Sequence, residues 1–231
     1  MHKVNRWRIQ GTSALKNRIG LNNNSRYNLE DWIIEQADIK SGMSILDIGC
    51  GTGKQIKAIQ KRFNSRIIGI DISLDGLDFS NDSTTLICGD FDQNIISGKF
   101  DRILSTYAIY YSKDMLGTIN KYQKMLNPNG MLFLAGPADG TNMEVYSIVN
   151  SLIDQLGIKV EHRSTTDFLS AAEIEGERVK LNNHVHFDSP KHVMEWWSNH
   201  NSYIEELHEQ VENKLPEKLS LTKNVLGIKI R

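Results

Sequence analysis

Cysteine is scarce: Cys50 and Cys88 are the only two in the 231-residue chain, and they form neither a C-x-x-C pair nor a zinc-site spacing. A disulfide framework and a structural metal are therefore not expected. Proline is also sparse, at four residues, and low-complexity sequence is limited to the NNNS run at 22–25, so neither disorder nor a fibrous repeat is indicated. Neither sign of charge dominates, because 27 Lys and Arg face 28 Asp and Glu for a net charge of -1; the strong basic excess of a nucleic-acid binder is missing. Long apolar runs are missing as well. Segments such as MLFLAGPA fall well short of the roughly 20 residues of a membrane helix, and the basic amino terminus lacks the apolar segment of a signal peptide. What is left is a globular protein with enough hydrophobic residues, 39%, for one sizeable core. The expectation is a cytoplasmic protein without a membrane partner.

Hydrophobic periodicity supplies the architecture. Short apolar runs occur at SILDI (44–48), RIIGID (66–71), TTLIC (84–88), DRILS (101–105) and MLFLA (131–135), with two weaker ones at 183–188 and 221–230. Helical patterns lie between them. Asn28 is placed to cap a helix bearing Leu29, Trp32, Ile33 and Ala37, and Ser112 one bearing Met115, Leu116, Ile119, Tyr122 and Met125 that must end near Asn127–Gly130. Ser189-Pro190 opens a third pattern, in which Val193, Trp196, Trp197, His200, Ile204, Leu207 and Val211 recur at helical spacing and predict one long amphipathic helix. This alternation predicts an α/β fold with a parallel sheet covered by helices on both faces.

The stretch SILDIGCGTGK (44–54) sets three glycines after the first strand. A Walker loop requires a glycine where Ile48 stands and Ser or Thr where Gln55 stands, so that reading fails. A dinucleotide turn is a poorer match, because Gly49, Gly51 and Gly53 follow G-x-G-x-G and Lys54 occupies the place of the third glycine. A nucleoside carrying an amino-acid tail and no phosphate suits D-x-G-x-G-x-G at a strand's carboxyl end, where backbone amides approach the ligand.

ILDIGCGTG resembles the first motif of the class I S-adenosylmethionine-dependent methyltransferases, small-molecule type, and the resemblance extends over about residues 27–136. It implies that the α/β fold is a doubly wound, seven-stranded, mostly parallel sheet. It also implies S-adenosyl-L-methionine as cofactor, with Gly49, Cys50 and Gly51 in the turn and Asp47 either meeting the methionine ammonium or satisfying turn amides. Asp71, ending IIGID about 20 residues on, would hold the ribose hydroxyls. Ile72 would pack on the adenine face, and Asp90 with Phe91 in CGDFD would recognise its edge. Ser105 and Thr106, ending the fourth strand, would border the cofactor, and Tyr27 matches an aromatic position that closes over its methionine end. The short polar segment from Leu74 to Ser83 departs from the family in leaving little room for a full helix.

Methyl transfer needs no nucleophile or metal on the protein, so the catalytic residues are hard to read. By resemblance, STYAIYYSKD lies beside the reacting methyl group and offers Tyr107, Tyr110 and Tyr111, whose aromatic faces and phenols suit a sulfonium and a polar acceptor. Packing between helix and sheet is the alternative for each. His184 and His186 share one face of a strand; without a third ligand they are expected to face solvent, and no metal is predicted. The chain is expected to form a single domain, with an arm at 1–26, a cofactor core at 27–160 and a carboxyl-terminal acceptor or lid region at 161–231, in which Trp196 and Trp197 belong to core, to a subunit contact or to the acceptor pocket. The expected activity is methyl transfer to an oxygen or nitrogen of a small molecule. Two alternatives stand beside it. Lys3, Arg6, Arg8, Lys16, Arg18 and Arg26, with no acidic residue among the first 26, could form an RNA-binding arm, although N-P-P-Y is missing after strand four. A non-catalytic cofactor-binding interaction protein is the other.

Overall fold

The computed structural model describes residues 17, 20, 25–75, 77, 82–93, 95–159, 169, 173–200 and 202–231. The basic residues Lys3, Arg6, Arg8, Lys16 and Arg18, part of the Leu74–Ser83 segment and much of the start of the carboxyl-terminal region lie outside them. Among the described residues the strands are β1 (Ser44–Ile48), β2 (Arg66–Asp71), β3 (Thr84–Cys88), β4 (Phe100–Thr106), β5 (Leu126–Pro137), β6 (Glu177–Leu181), β7 (His184–Phe187), β8 (Leu219–Thr222) and β9 (Val225–Ile230). The helices are α1 (Leu29–Gln36), α2 (Lys54–Gln60), α3 (Met115–Gln123), α4 (Met143–Leu156), α5 (Pro190–Trp197) and α6 (His208–Glu212). None is long and apolar enough to cross a membrane.

The chain forms two compact units that interleave in sequence. One holds Asn28–Gly136, the described part of Ala171–Leu181, and Leu226–Arg231; the other holds the described residues of Met1–Tyr27, Pro137–Ser170 and Asn182–Val225. The first carries a seven-stranded sheet in the order β3-β2-β1-β4-β5-β9-β6. Its β3-β2-β1-β4-β5 part is parallel throughout. Strands buried on both faces need apolar residues at successive positions, and β1 supplies them: Ile45, Leu46 and Ile48 have no exposed surface. Each such side chain contributes roughly 1.5–3 kcal/mol by its burial. Asn28 does cap α1, its side chain accepting the Asp31 amide, whereas α3 is capped by Asp114 rather than Ser112. Ser112 is buried instead, its hydroxyl bonded to that of Thr118 at 2.9 Å. The Asn127–Gly130 turn is absorbed into β5, as an irregularity between the pairs Phe100–Leu126 and Arg102–Met131.

The second unit pairs β7 with β8 in an antiparallel ribbon and gathers α4, α5 and α6 around Tyr146, Phe187, Trp196, Trp197, Val211 and Leu221. Both tryptophans are therefore core residues. Pro190 opens α5 as expected, with Ser189 capping it, but the predicted long helix stops at Trp197 and resumes as a 3-10 turn (Glu205–Leu207) and α6. The polar residues that follow Trp197 compete for helix carbonyls: the Ser198 hydroxyl and the Asn199 side-chain amide both donate to the Glu195 carbonyl. The predicted strand at 221–230 is likewise two strands in two sheets. Between them the Lys223 amide donates to the Asn183 carbonyl, and the Asn224 carbonyl accepts the Ala138 amide and the Thr141 hydroxyl.

Candidate active site

The order of the large sheet reverses direction between β1 and β4, since β2 and β3 lie on one side and β5 on the other. Loops leaving the carboxyl ends of two such strands diverge and open a crevice, the usual ligand position of an open α/β sheet. Residues 48–53 and 106–108 flank this one. The glycine turn is built for close approach: Gly49, Gly51 and Gly53 all have positive φ (68°, 53° and 69°), a region that costs other residues energy. A Cβ on Gly49 would stand 2.3 Å from the Ala108 Cβ and 3.8 Å from the Phe91 ring. The turn is thus pressed between the segments that follow β3 and β4.

Asp71, at the end of β2, ties the turn to its neighbour. Its Oδ2 accepts the Gly51 amide at 2.8 Å and its Oδ1 the Ser73 amide at 3.2 Å. The carboxylate is half-buried, so each oxygen keeps a lone pair for a ligand hydroxyl. Next to it Ile72 is 41% exposed, an apolar side chain left open beside a carboxylate. After β3, the Asp90 carboxylate accepts the Asp92 amide at 2.8 Å, and Phe91 is buried.

Asp47 is buried in β1, and its carboxyl pKa is pushed up to about 7, by burial first and by the Asp71 carboxylate second. Its Oδ2 has no hydrogen-bond partner, and neither have the Thr106 hydroxyl and the Gln55 side-chain carbonyl. All three can accept a hydrogen bond. Buried acceptors without donors are costly, and a ligand rich in N–H or O–H groups would relieve them.

A methyltransferase-domain family profile matches residues 21–207. The chain belongs to the class I S-adenosylmethionine-dependent methyltransferases. It is 29% identical over 138 residues to the malonyl-[acyl-carrier protein] O-methyltransferase of Priestia megaterium, a match covering 57% of this chain and 50% of the relative. An uncharacterized methyltransferase of Schizosaccharomyces pombe is 37% identical over 112 residues, covering 42% of this chain and 39% of that protein. The chain thus spans about half the length of the curated relatives it matches. Among solved structures, a candidate methyltransferase from an Anabaena variabilis antibiotic biosynthesis pathway superposes with a TM-score of 0.60 at 12% identity, over 87% of this chain and 96% of its own. A Bacillus halodurans candidate methyltransferase gives 0.56 at 14%, over 87% and 97%. At those identities the likeness concerns the fold.

The methyltransferase donor fits what the chain presents. The turn spends its amides on the protein, Gly49 and Cys50 on the Ile70 carbonyl and Gly51 on Asp71, and so forms no phosphate cradle; the open acceptors call for an ammonium and hydroxyls, and Ile72 offers an apolar face. Cys50 lines the turn as a small buried residue; burial first, then Asp47 and Asp71, raise its thiol pKa far above the usual range, so it stays neutral and unreactive. Ser105 is not open to a ligand, because it is fully buried and its hydroxyl donates to the Ile48 carbonyl at 3.2 Å. It cross-ties β4 to β1. Tyr107 has φ 56°, and its amide donates to the Ala135 carbonyl at 2.7 Å; a tyrosine held in the left-handed region at a strand end is backbone strain stored beside the crevice. Tyr110 and Tyr111 lie in a 3-10 turn (Ile109–Tyr111) with ring centroids 4.9 Å apart. Tyr110 is buried.

Tyr27 belongs to the other unit and is 45% exposed, with the Arg26 guanidinium carbon 5.1 Å from its ring centroid. Its position is set by Asn183, which the sequence reading missed. Asn183 Oδ1 accepts the Tyr27 and His184 amides, and its Nδ2 donates to the Ser25 hydroxyl and the Tyr27 carbonyl. All four hydrogen-bonding positions of that side chain are filled. In the adjoining strand Val185 and Phe187 are buried and His186 is exposed, and among the described residues no three His, Cys, Asp or Glu side chains gather as a metal site.

The shifted Asp47 carboxyl gives a pH-dependent prediction. Below about pH 4 folded and unfolded chains both carry the proton and Asp47 is neutral in the balance. As pH rises toward 7 the unfolded chain releases that proton while the folded chain keeps it, and stability falls; above 7 the loss is complete. Asp47→Asn is therefore expected to match the parent in thermal stability at pH 4 and to exceed it at pH 8 by on the order of 4 kcal/mol. Its affinity for S-adenosylhomocysteine is expected to fall even so. Denaturation curves at the two pH values, beside calorimetry, check both halves.

Proposed function

We propose that the protein transfers the methyl group of S-adenosyl-L-methionine to an oxygen or nitrogen of a small-molecule acceptor by in-line displacement. The observation that carries this reading is the row of carboxylates at successive strand ends. Asp47 in β1, Asp71 ending β2 and Asp90 just after β3 lie toward the carboxyl ends of three neighbouring strands, and they offer acceptors suited in turn to an ammonium, a pair of ribose hydroxyls and an adenine amine. When bound, the donor supplies a methyl group activated on a positively charged sulfur. The chain's part is to orient and to exclude water, and orientation alone can contribute roughly 7–11 kcal/mol. Asp71 holds the ribose end and keeps Gly51 in register. Asp47, ionised above about pH 7, meets the ammonium, so donor affinity is expected to rise through that pH.

Tyr107, Tyr110 and Tyr111 are the side chains proposed to face the methyl group, through aromatic faces that attract the sulfonium and phenols that align the acceptor. An oxygen acceptor agrees with the O-methyltransferase activity named for the Priestia megaterium relative. The test is turnover. Purified protein incubated with the donor and a low-molecular-weight metabolite fraction is expected to form S-adenosylhomocysteine, and an RNA fraction is expected to give none. Product from RNA alone would overturn the small-molecule reading, and donor binding without turnover on any fraction would identify an interaction protein.

A further inference from the structure

The turn that carries Asp90 is held from behind by α3. The carbonyl oxygens of Phe91, Asp92 and Gln93 lie 2.7, 3.0 and 3.2 Å from the Lys121 ammonium nitrogen. Next on the helix, the Tyr122 hydroxyl donates to the same Phe91 carbonyl at 2.7 Å. Three consecutive carbonyls aimed at one point repel each other, and an ammonium has three donors to match them. The Asp92 side chain completes the brace. Burial works against its charge, but the Lys113 amide, the Ser112 and Thr118 hydroxyls and Lys121 outweigh it and hold its pKa below the usual value. Within the turn, the Asp90 carboxylate accepts the Asp92 amide, and the Gln93 amide donates to the Asp90 carbonyl at 3.0 Å. The direction of the Asp90 side chain is thus tied to the backbone that Lys121 gathers.

We infer that Lys121 is a positioning residue for adenine recognition: its ammonium clamps carbonyls 91–93 and so aims the Asp90 carboxylate, which sets both donor affinity and selectivity for the adenine ring. The inference rests on the reading that Asp90 meets adenine. The Lys121 ammonium nitrogen also lies over the Tyr122 ring, 4.6 Å from its centroid, and Lys121 borders a cavity of about 140 Å³ shared with Gln93, Ile96, Tyr122 and Met125. A small amine therefore has a way in if the side chain is shortened.

The test uses the full chain and calorimetry, with S-adenosylhomocysteine and its inosine counterpart as probes. Lys121→Ala is expected to bind the adenine form about 10- to 100-fold more weakly and to lose most of its preference for it over the inosine form. Propylammonium is expected to restore both, while tetramethylammonium, with the same charge and no N–H, restores neither. Lys121→Met keeps the stem and guards against a folding defect; it is expected to show the same loss without rescue. Unchanged base preference in folded Lys121→Met, with Asp90→Ala losing that preference, would overturn the clamp alone. Equal losses for both probes, or no rescue by propylammonium, would reduce Lys121 to a structural lysine. Unchanged affinity and preference in Asp90→Ala would instead remove the adenine reading beneath it.

Discussion

Asp71→Ala is expected to lose S-adenosylhomocysteine affinity by about 100-fold or more while remaining folded. Two charge-assisted hydrogen bonds to ribose hydroxyls are worth roughly 1.5–3 kcal/mol each, and tenfold in affinity corresponds to about 1.4 kcal/mol. A second loss adds to this. The same carboxylate receives the Gly51 and Ser73 amides, so its removal also frees the glycine turn and the start of the segment after β2. Asp71→Asn separates the two effects, since its carbonyl oxygen can still accept one amide but the charge is gone, and its loss should be smaller. Calorimetry on both variants, with circular dichroism as the check on folding, measures this. Unchanged affinity in folded Asp71→Ala would remove the ribose assignment.

Gly49→Ala is expected to damage both stability and binding. The new methyl would lie 2.3 Å from the Ala108 Cβ at a backbone φ of 68°, so either the turn or the segment after β4 must shift. Left-handed backbone costs an alanine about 1–2 kcal/mol, and overpacking of this kind typically costs about 1–3 kcal/mol more. Urea denaturation should show a total of about 2–5 kcal/mol. The clash and the backbone strain can be told apart by adding Ala108→Gly, which makes room for the methyl but leaves φ unchanged. The double variant should regain the packing part only, and a double-mutant cycle with no coupling between the two sites would refute the contact.

Strands β1, β2, β4 and β5 were legible in the sequence because a strand buried on both faces must be mostly apolar, as SILDI, RIIGID and MLFLA are, whereas β3 buries no residue fully and showed only as the short run TTLIC. β6 was not, because ERVKL is largely exposed and offers no apolar run. α4 was not singled out either, although MEVYSIVNSLIDQL buries Val145, Tyr146, Val149, Leu152 and Ile153 at helical spacing. The break between β8 and β9 is set by bonds to Asn183, Ala138 and Thr141, residues distant in sequence, so nothing local announces it. The site divides in the same way. Asp47, Asp71 and Asp90 could be named because each lies in a short contiguous stretch, ILDIGCGTG, IIGID or CGDFD, that resembles a family motif. Lys121 and Asn183 could not, because their partners lie about 30 and about 160 residues away in the chain and a lysine or asparagine carries no mark of what it will hold. Ser105 was a reasonable candidate by position, but its hydroxyl turned out to face the next strand.

The strand order also says when the sheet can be completed as the chain is made. β6 has β9 as its neighbour in the sheet, and β9 begins more than 40 residues after β6 ends. During synthesis the segment ERVKL must therefore wait unpaired until Val225–Ile230 has left the ribosome. Strands β1 to β5 need no such delay, since each finds its partner within the first 137 residues. The cofactor-binding half can assemble early, and the last two places in the sheet close only when β9 arrives, a late long-range pairing of the kind that slows folding.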